Sequence, residues 1–475
     1  MGKYYHSSRP DTELDGVCYD TRSMKPNTVF VCINGSFEDG HKYAVRAVSK
    51  GARVIIASKH IDCGAAVILT DDTESALHYL IKRFYGKPRL ELFGITGTNG
   101  KTTTSYMLAA ILKASGRCCG IIGTNGCFVD GEDVGIVQNT PTTPNMPELY
   151  AILAKMEEMG ADCAVMEVSS HSLVQNRVDG LDIKTGVFTN LSGDHLDYHR
   201  DMEDYFAAKR RLFDISENAA VNADDEYGRR ILAENENAVG FGILGGEVRA
   251  GDISLFSDGA EFELIFGKTA VRQRINISGL FSVYNALAAA TAAYVSGVDI
   301  ADIKAGLASV GGVVGRMERL AAGDVNVIID YAHTPDGLLK VLSSLRGIGG
   351  RIITVFGCGG DRDRTKRAVM GDIATQNSDI TVITSDNPRT ENPTEIIIDI
   401  LSGVKRDNYI VIENRERAIE AALSIAKKGD TVLLAGKGQE RYQIIGREKR
   451  HFDEREIVER LLKERNGESY AGVYN

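Results

Sequence analysis

The chain has 475 residues, of which 43% are hydrophobic and 25% are charged, and its formal net charge is −10. That length exceeds one ordinary hydrophobic core and predicts two to four domains. The acidic balance argues against a general nucleic-acid-binding protein, and no apolar run reaches the roughly eighteen residues that a membrane span needs.

The cysteines and the first residues bear on the compartment. The eight cysteines are scattered without a C-x-x-C pair, which is typical of reduced thiols in a cytosolic protein. The opening Met-Gly-Lys-Tyr-Tyr-His lacks the apolar core of a signal peptide. We therefore expect a cytoplasmic protein.

Along the chain, strand-like apolar runs alternate with glycine-rich turns and helical patterns, which predicts an α/β protein with parallel sheets. A basic link, RFYGKPRLE, precedes residue 91, and a glycine-rich stretch, GGVVGRME, covers residues 311–318. These joints predict three domains at about 1–89, 90–315 and 316–475.

Polar clusters directly follow these apolar runs. ELFGIT leads into GTNGKTT, CAVMEV ends beside Glu167, and TGVFTNL precedes Asp194 and His195. Further along, the same order gives DYAH, CGGDRDR, SDNPR and KGQE. Because ligands bind beyond the carboxyl ends of parallel strands, we expect these clusters to line one or two clefts.

The loop in FGITGTNGKTTTSYML has the order strand, glycine turn, helix that phosphate binding requires. It departs from the G-x-x-x-x-G-K-[ST] pattern because Ile95 stands where the first glycine belongs. Gly97 and Gly100 would still admit a phosphate, Lys101 could reach the β- and γ-phosphates, and the hydroxyl of Thr102 could bind Mg²⁺. The loop therefore predicts ATP or GTP binding.

Downstream, Glu167 stands at a strand end, where magnesium ligands are common. His195 and His199 have the i, i+4 spacing that a helical zinc site uses, but the phosphate loop favours magnesium. The next helical stretch, MEDYFAAKRRLF, carries Lys209, Arg210 and Arg211 together, and periodicity alone leaves open whether the two arginines are merely solvated.

Taken together, GTNGKTTT, TPTTP, EVSSHSLVQNRVDG, NLSGDHLDYHRDMEDYFAAKRRLF, DYAHTPDGL, GGDRDRTKR, DNPR and GKGQE resemble the Mur ligase family over residues 17–455. The resemblance implies a small N-terminal α/β domain that binds UDP, a central ATP-binding domain with a P-loop ATPase-type parallel sheet, and a Rossmann-like C-terminal domain for the amino acid. It also implies ATP- and Mg²⁺-dependent amide formation through an acyl phosphate, and we expect a monomer.

The resemblance assigns residues around the nucleotide. The catalytic residues would be Lys101, Glu167, His195 and a carbamylated Lys209, with Thr102, Glu167, His195 and Lys209 holding metal. The implied ATP contacts are Gly97, Thr98, Asn99, Gly100, Lys101, Thr102, Thr103, Asn285, Arg316 and Asp330.

The implied acceptor is UDP-N-acetylmuramoyl-L-alanyl-D-glutamate, activated at the side-chain carboxylate of its D-glutamate. Its expected contacts are Thr21 and Ser36 in the first domain and Thr142, Thr143, Ser169, Gln175 and Arg177 in the central one.

The implied amine is a diamino acid, and the motif DNPR indicates which one. The guanidinium of Arg389 can bind a carboxylate through two parallel hydrogen bonds, and meso-diaminopimelate has a distal carboxylate that lysine lacks. The expected contacts are Arg362, Asp386, Asn387, Pro388, Arg389, Gly436 and Glu440. Addition of L-lysine, another ligase of this superfamily and a non-catalytic nucleotide-binding regulator are the alternatives.

Overall fold

The computed structural model describes residues 14–22, 24–34, 38–322, 324–346 and 349–465. Within these residues the strands form sheets of four, eleven and six strands and a two-stranded hairpin, with helices between them. The predicted α/β class is confirmed. The three large sheets fall in the three predicted segments, whose borders at residues 89 and 315 stay a prediction.

The first sheet has four parallel strands that lie in chain order. Its elements are β1 (Gly16–Cys18), β2 (Thr28–Val31), α1 (Ala44–Ser49), β3 (Ala52–Ala57), β4 (Ala66–Leu69) and α2 (Thr73–Tyr85). Helix α2 begins where the side chain of Asp72 accepts a hydrogen bond from the N–H of Ser75, which satisfies one of the free donors of its first turn.

The second sheet is the largest. Its elements are β5 (Glu91–Thr96), α3 (Lys101–Ala114), β6 (Cys119–Gly123), β7 (Gly126–Val129), β8 (Glu132–Asp133), α4 (Met146–Glu158), β9 (Cys163–Glu167), α5 (Ser170–Val174), β10 (Ile183–Phe188), α6 (Met202–Arg210), β11 (Ser216–Asn222), α7 (Glu226–Glu234), β12 (Ala238–Gly242), β13 (Val248–Phe256), β14 (Gly259–Phe266), β15 (Thr269–Ile275), α8 (Leu280–Val295) and α9 (Ile300–Ser309).

The strand order of the second sheet is β15-β14-β13-β12-β11-β10-β5-β9-β6-β7-β8. Strand β5 lies between β9 and β10 and is parallel to both. The strands on one side of β5, which are β6 to β9, come earlier in the chain than those on its other side, which are β10 to β15. The loops that follow β9, β5 and β10 therefore diverge around a crevice. The crevice is where a ligand of such a sheet binds.

Helices α3 and α8 cover one face of the second sheet. The predicted apolar side of α3, formed by Met107, Leu108, Ile111 and Leu112, is fully buried. Helix α8 is rich in alanine and buried almost all round, as expected for a helix that packs between a sheet and other helices. This close packing places Asn285 of α8 beside the loop that precedes α3.

The third sheet has the order β16-β17-β21-β18-β19-β20, and all but β16 are parallel. Its region consists of β16 (Glu318–Ala322), β17 (Val325–Asp330), α10 (Pro335–Leu345), β18 (Ile352–Phe356), α11 (Thr365–Asn377), β19 (Ile380–Ile383), α12 (Pro393–Leu401), β20 (Tyr409–Val411), α13 (Arg415–Ile425), β21 (Thr431–Ala435), the hairpin β22 (Tyr442–Ile445) with β23 (Glu448–His451), and α14 (Glu454–Arg465). Because β17, β21, β18, β19 and β20 are all parallel, the loops that follow them lie at one edge of the sheet.

Among the residues that the structure describes, no helix combines the length and the apolar character that crossing a bilayer requires.

Candidate functional site

The loop between β5 and α3 can be built only with glycine at two positions. Gly97 and Gly100 have φ values of +146° and +88°, which favour glycine. A Cβ on Gly97 would collide with the hydroxyl of Thr189, and one on Gly100 would collide with the side-chain oxygen of Asn285. Gly100 caps α3 without a side chain, so the free N–H groups and positive dipole of the helix face the crevice.

The other loop residues of the predicted nucleotide site are held by the neighbouring strand end. The N–H of Asn99 donates to the side-chain oxygen of Asn190 (3.0 Å), and the N–H of Thr98 donates to the carbonyl of Asn190 (2.9 Å). Thr103 is buried in the first turn of α3. Asn190 was not assigned from the sequence, although it is the asparagine of TGVFTNL and stands directly before the polar cluster that contains Asp194 and His195.

Two lysines meet at one carbonyl of this loop. The Nζ atoms of Lys101 and Lys209 each donate to the oxygen of Gly97 at 2.8 Å. Lys209 is 1% exposed and lies 4.5 Å from the centre of the Tyr205 ring. Burial, with the nearby charge of Lys101, lowers the pKa of Lys209 well below its ordinary value, because an ammonium group loses its hydration there. Lys209 is therefore an amine that readily becomes neutral.

The neighbours of Lys209 in sequence take a different position. Arg210 pairs with Glu234 on the surface, and Arg211 donates to Asn176. The alternative left open by periodicity is thus decided, since both arginines lie at the solvated surface while Lys209 alone points into the crevice.

Glu167, at the end of β9, is 1% exposed and lies among hydroxyl groups. Its Oε2 accepts hydrogen bonds from the hydroxyls of Thr102 and Thr124, each at 3.0 Å, and its Oε1 accepts from the N–H of Thr124 at 2.9 Å. These carboxylate and hydroxyl oxygens form a compact set of possible metal ligands. Thr124 was not assigned from the sequence, but it directly follows the apolar run of β6, so the same strand-end rule would have found it.

His195 lies in the segment 191–200, which forms turns rather than a helix. Its φ is +57°, its Nε2 is 3.5 Å from Oδ2 of Asp194, and its ring meets the His171 ring edge to face at 4.9 Å. His199 has a different polar partner, because its Nε2 lies 2.9 Å from the hydroxyl of Ser170. The helical zinc pair considered from the i, i+4 spacing is not formed, because the segment lacks helical geometry. Within the described ranges, no three His, Cys, Asp or Glu residues cluster as a metal site.

Arg316 joins the nucleotide loop to the third sheet. Its guanidinium donates to the hydroxyl of Thr102 (3.2 Å) and to the side-chain oxygen of Gln439 (3.1 Å), and it lies over the Tyr331 ring at 4.5 Å. Asp330, at the end of β17, is buried and accepts from two backbone N–H groups. Burial raises the pKa of Asp330, against the opposing charge of Arg316.

A second contact across the same crevice was missed by the sequence analysis. The carboxylate of Asp336, in the first turn of α10, accepts hydrogen bonds from the side chain of Asn99 (3.0 Å) and the hydroxyl of Ser192 (3.1 Å). It also accepts from Lys340 at 2.8 Å. The motif DYAHTPDG contains Asp336, but nothing in the motif indicates a contact with a loop more than two hundred residues away in the chain.

The expected contacts to the acceptor in the central region form one network beside Glu167. The Thr143 hydroxyl donates to the carbonyl of Glu167 at 2.9 Å and accepts from the N–H of Ser169 at 3.0 Å. Arg177 donates to the carbonyl of Thr143 (2.7 Å) and to the side-chain oxygen of Gln175 (2.6 Å). Thr142 has a φ of +65°, and its hydroxyl lies 3.1 Å from that of Thr124.

The two expected contacts in the first region are less closely joined to this network. Thr21 is buried, and its carbonyl accepts from Lys50 at 2.5 Å. Two residues earlier, the hydroxyl of Tyr19 accepts a hydrogen bond from Asn145 of the central region, so the loop after β1 faces the acceptor network. Ser36 lies outside the described residues.

A second polar pocket lies at the carboxyl edge of the third sheet, where the loops after β18, β19 and β21 meet. Arg389 has a φ of +50° and donates to the carbonyl of Gly360 at 2.7 Å. Burial and the charge of Arg362 lower its pKa, so two guanidinium groups act on the same space. Two backbone hydrogen bonds join Arg389 to the hairpin β22–β23. The N–H of Arg389 donates to the carbonyl of Ile444 at 3.1 Å, and the N–H of Gly446 donates to the carbonyl of Arg389 at 2.7 Å.

The acidic side of this pocket is formed by Asp386 and Glu440. Oδ2 of Asp386 is buried without a hydrogen-bond partner, and a Cβ on Gly436 would come within 3.1 Å of it. Oε2 of Glu440 accepts from Nδ2 of Asn387 at 2.8 Å. With Pro388 between Asn387 and Arg389 in the same loop, all seven predicted amino-acid contacts lie around one pocket that presents both positive and negative groups.

Comparisons with known proteins agree with this geometry. The chain matches family models for the Mur ligase family, catalytic domain (residues 13–85), the Mur ligase middle domain (95–293) and the Mur ligase, glutamate ligase domain (315–438).

Relatives match over nearly the full length. A Clostridium acetobutylicum protein named UDP-N-acetylmuramoyl-L-alanyl-D-glutamate--2,6-diaminopimelate ligase 1 is 44% identical over 464 residues, 96% of each chain. A Clostridioides difficile protein named UDP-N-acetylmuramoyl-L-alanyl-D-glutamate--2,6-diaminopimelate ligase is 43% identical over 95% of each chain. A solved structure of a protein of that name superposes with a TM-score of 0.65, at 30% identity and 95% coverage of each chain.

Proposed function

This chain belongs to the Mur ligase family, and we propose that it uses ATP to join meso-diaminopimelate to UDP-N-acetylmuramoyl-L-alanyl-D-glutamate in peptidoglycan precursor synthesis. The observation that carries the proposal is the 44% identity, over 96% of both chains, with a relative named for that reaction. The cytoplasmic location and the monomeric state expected from the sequence belong to the same proposal.

The reaction proceeds in two steps. The side-chain carboxylate of D-glutamate attacks the γ-phosphorus of ATP, the bond to the β–γ bridging oxygen breaks, and ADP leaves. The amine of the diamino acid then attacks the carbonyl carbon of the acyl phosphate, loses a proton and expels inorganic phosphate. The first step is needed because a carboxylate alone offers only oxide as a leaving group.

The nucleotide loop supplies positioning and charge for the first step. The N–H groups at the start of α3 and the ammonium of Lys101 would bind the phosphates, which brings the γ-phosphorus to the acceptor carboxylate. Asn285 and Asp330 would lie on the nucleoside side, and Arg316 would compensate charge near Thr102. The acceptor would be held by Thr142, Thr143, Ser169, Gln175 and Arg177, with Thr21 and Ser36 toward its UDP end.

The residues around Glu167 fit Mg²⁺, which binds carboxylate and hydroxyl oxygens. When bound, Mg²⁺ would neutralise charge on the phosphate oxygens. Thr102 and Glu167 would hold it through the oxygen set described above, and His195 is a further expected metal contact. A carbamate on Lys209 would add oxygen donors and a negative charge, and the lowered pKa of Lys209 supports this assignment because only the neutral amine captures CO₂.

The pocket of the third sheet supports meso-diaminopimelate rather than lysine as the amine. Arg389 and Arg362 provide two guanidinium groups for a distal carboxylate, whereas Asp386 and Glu440 provide carboxylates for a distal ammonium. Lysine carries only the second of these groups and would leave the arginine pair without a partner.

The deciding experiment supplies purified protein with ATP, Mg²⁺ and UDP-N-acetylmuramoyl-L-alanyl-D-glutamate, and then offers meso-diaminopimelate, L-lysine or L-ornithine. Mass spectrometry of the product should show addition of meso-diaminopimelate. Addition of L-lysine alone would overturn the amine assignment, and nucleotide binding without any product would favour a regulator.

The acyl phosphate has its own test. ¹⁸O placed in the D-glutamate side-chain carboxylate of the acceptor should appear in the inorganic phosphate that is released. Product formation with unlabelled phosphate would exclude the two-step route while leaving the choice of amine intact.

A further inference from the structure

Lys437 is a buried cation that the proposed reaction does not use. It follows β21, its side chain is 0% exposed, and it belongs to none of the sets of residues assigned above. A buried ammonium group is unfavourable unless it is paired and hydrogen-bonded. Its partners therefore indicate why it is there.

Lys437 closes a triangle of hydrogen bonds with two residues of the amino-acid pocket. Its Nζ donates to Oε2 of Glu440 (3.0 Å) and to Oδ1 of Asn387 (3.2 Å). Nδ2 of Asn387 in turn donates to the same Oε2 at 2.8 Å. Each side chain of the triangle is thus fixed by the other two.

The triangle orients the carboxylate of Glu440. Both side-chain hydrogen bonds to this carboxylate end on Oε2, and within the described chain no hydrogen bond reaches Oε1. The amide of Asn387 is oriented as well, because its Oδ1 also accepts from the N–H of Ile444 at 2.9 Å. Oε1 of Glu440 is the oxygen that stays available to a ligand.

Lys437 also acts on the second acid of the pocket. Burial opposes ionisation of Asp386, yet the charges of Lys437 and Arg415 help to hold the pKa of its carboxyl below the usual value. Lys437 therefore balances two carboxylates on the side of the pocket that faces Arg389, whose guanidinium senses the charges of both acids.

We propose that Lys437 is a positioning residue that sets amine selectivity through Glu440, by holding that carboxylate with one oxygen toward the distal ammonium and by offsetting its charge, which would otherwise repel a distal carboxylate. This inference rests on the proposed function. Removing the cation makes the pocket more negative by one charge, which disfavours a zwitterionic distal end more than a lone ammonium. Lys437 thus favours meso-diaminopimelate over lysine.

The test compares Lys437→Met with Lys449→Met. Lys449 is exposed on β23 and lies over the Tyr442 ring at 4.4 Å, so it is a nearby surface lysine outside both the triangle and the set of expected amino-acid contacts. For Lys437→Met we expect the KM for meso-diaminopimelate to rise at least tenfold with less than a twofold change in the KM for ATP. The ratio of the two products formed from an equimolar mixture of meso-diaminopimelate and L-lysine should shift toward lysine.

Lys449→Met should match the unmodified protein in every one of these measurements. If Lys437→Met also matches it, or raises the KM values for ATP and meso-diaminopimelate equally, the inference is overturned. An unmodified protein that adds no diaminopimelate would instead overturn the proposed function.

A second pair of variants covers failure of Lys437→Met to fold. Glu440→Gln is compared with Glu440→Gln/Lys437→Met, in which neither charge of the pair remains. If Lys437 acts through Glu440, the added substitution changes the KM for meso-diaminopimelate less than twofold. A further tenfold rise would show that Lys437 acts independently of Glu440 and would contradict the inference.

Discussion

The nucleotide loop and the amino-acid pocket are built in opposite ways. The loop of residues 97–100 is formed mostly by backbone, and its lysine Lys101 donates to the carbonyls of its own loop. The pocket around Arg389 is formed by side chains from three strand ends that are already joined to one another. A phosphate presents the same oxygens in every nucleotide, whereas one diamino acid must be distinguished from another.

This difference predicts where each region fails. A backbone site depends on glycine and on one cation, so single changes there should abolish activity without unfolding the protein. A side-chain network depends on mutual orientation, so single changes there should alter selectivity and KM.

The largest effect is expected from Lys101→Ala. Among the described residues, the side chain of Lys101 donates hydrogen bonds only to the carbonyls of Gly97 and Thr98, so the fold should survive while charge compensation at the γ-phosphate is lost. We expect kcat to fall by roughly 10³-fold, the scale of removing a group that stabilises transition-state charge. Phosphate release measures the rate, and an unchanged thermal midpoint is the control. A loss below tenfold would contradict a backbone site that depends on this cation.

Gly100→Ala tests whether the nucleotide loop requires a residue without a side chain at position 100. A Cβ at Gly100 would collide with Asn285, and the φ of +88° adds strain. The matched control is Gly116→Ala at the other end of the same helix, where φ is +84° and no atom lies within 4 Å. Gly100→Ala should weaken ATP binding about 100-fold, measured by calorimetry. Equal losses in both variants would assign the effect to strain rather than to the site.

Arg389→Ala tests the amino-acid pocket. Loss of a guanidinium that binds a carboxylate should raise the KM for meso-diaminopimelate by about 10- to 100-fold, or roughly 1.4–2.8 kcal/mol. The KM for ATP should stay within twofold. Arg364→Ala is the control, since Arg364 is exposed and pairs with Asp399. Equal rises in both KM values would contradict a role confined to the amine.

The smallest effect is expected from Asp336→Asn, at the contact between α10 and the nucleotide loop. The carboxylate of Asp336 binds Asn99 and Ser192 at the nucleotide loop, where it would repel a triphosphate. Its neutral isostere should tighten nucleotide binding about two- to fivefold at low salt, given surface-scale electrostatics. Asp372→Asn, which removes an exposed partner of Lys405, is the control. Weaker binding would show that Asp336 supports nucleotide binding.

Much of this site could be predicted from the sequence because strand ends are local features. The polar residues after β5, β9, β10, β17, β18, β19 and β21 do lie at the carboxyl edges of parallel strands, as the alternation predicted. Membership of the Mur ligase family, predicted from long ordered motifs, is confirmed. The roles of individual residues stay predictions, since they concern ligands rather than contacts within the chain.

Other features depend on which strands become neighbours. The i, i+4 pair His195 and His199 resembled one face of a helix, but the segment forms turns, and the two side chains take different polar partners, Asp194 and Ser170. Lys209, Arg210 and Arg211 are adjacent in the chain, and only the packing of α6 decides that Lys209 is buried. The contacts of Asp336 with Asn99 and of Arg316 with Gln439 join residues far apart in the chain, so no local pattern could reveal them.

By itself the sequence determined the alternation of strands and helices, the glycines that the nucleotide loop requires and the family to which the chain belongs. These follow from backbone geometry and from the periodicity of apolar residues, which act over a few positions. The tertiary structure alone decided that Lys437 is enclosed with Glu440 and Asn387, that two lysines share the carbonyl of Gly97, and that Glu167 lies among threonine hydroxyls. Tertiary packing decides these because it brings Asn387 beside Lys437, Lys209 beside Gly97 and Thr124 beside Glu167, although the members of each pair lie far apart in the chain.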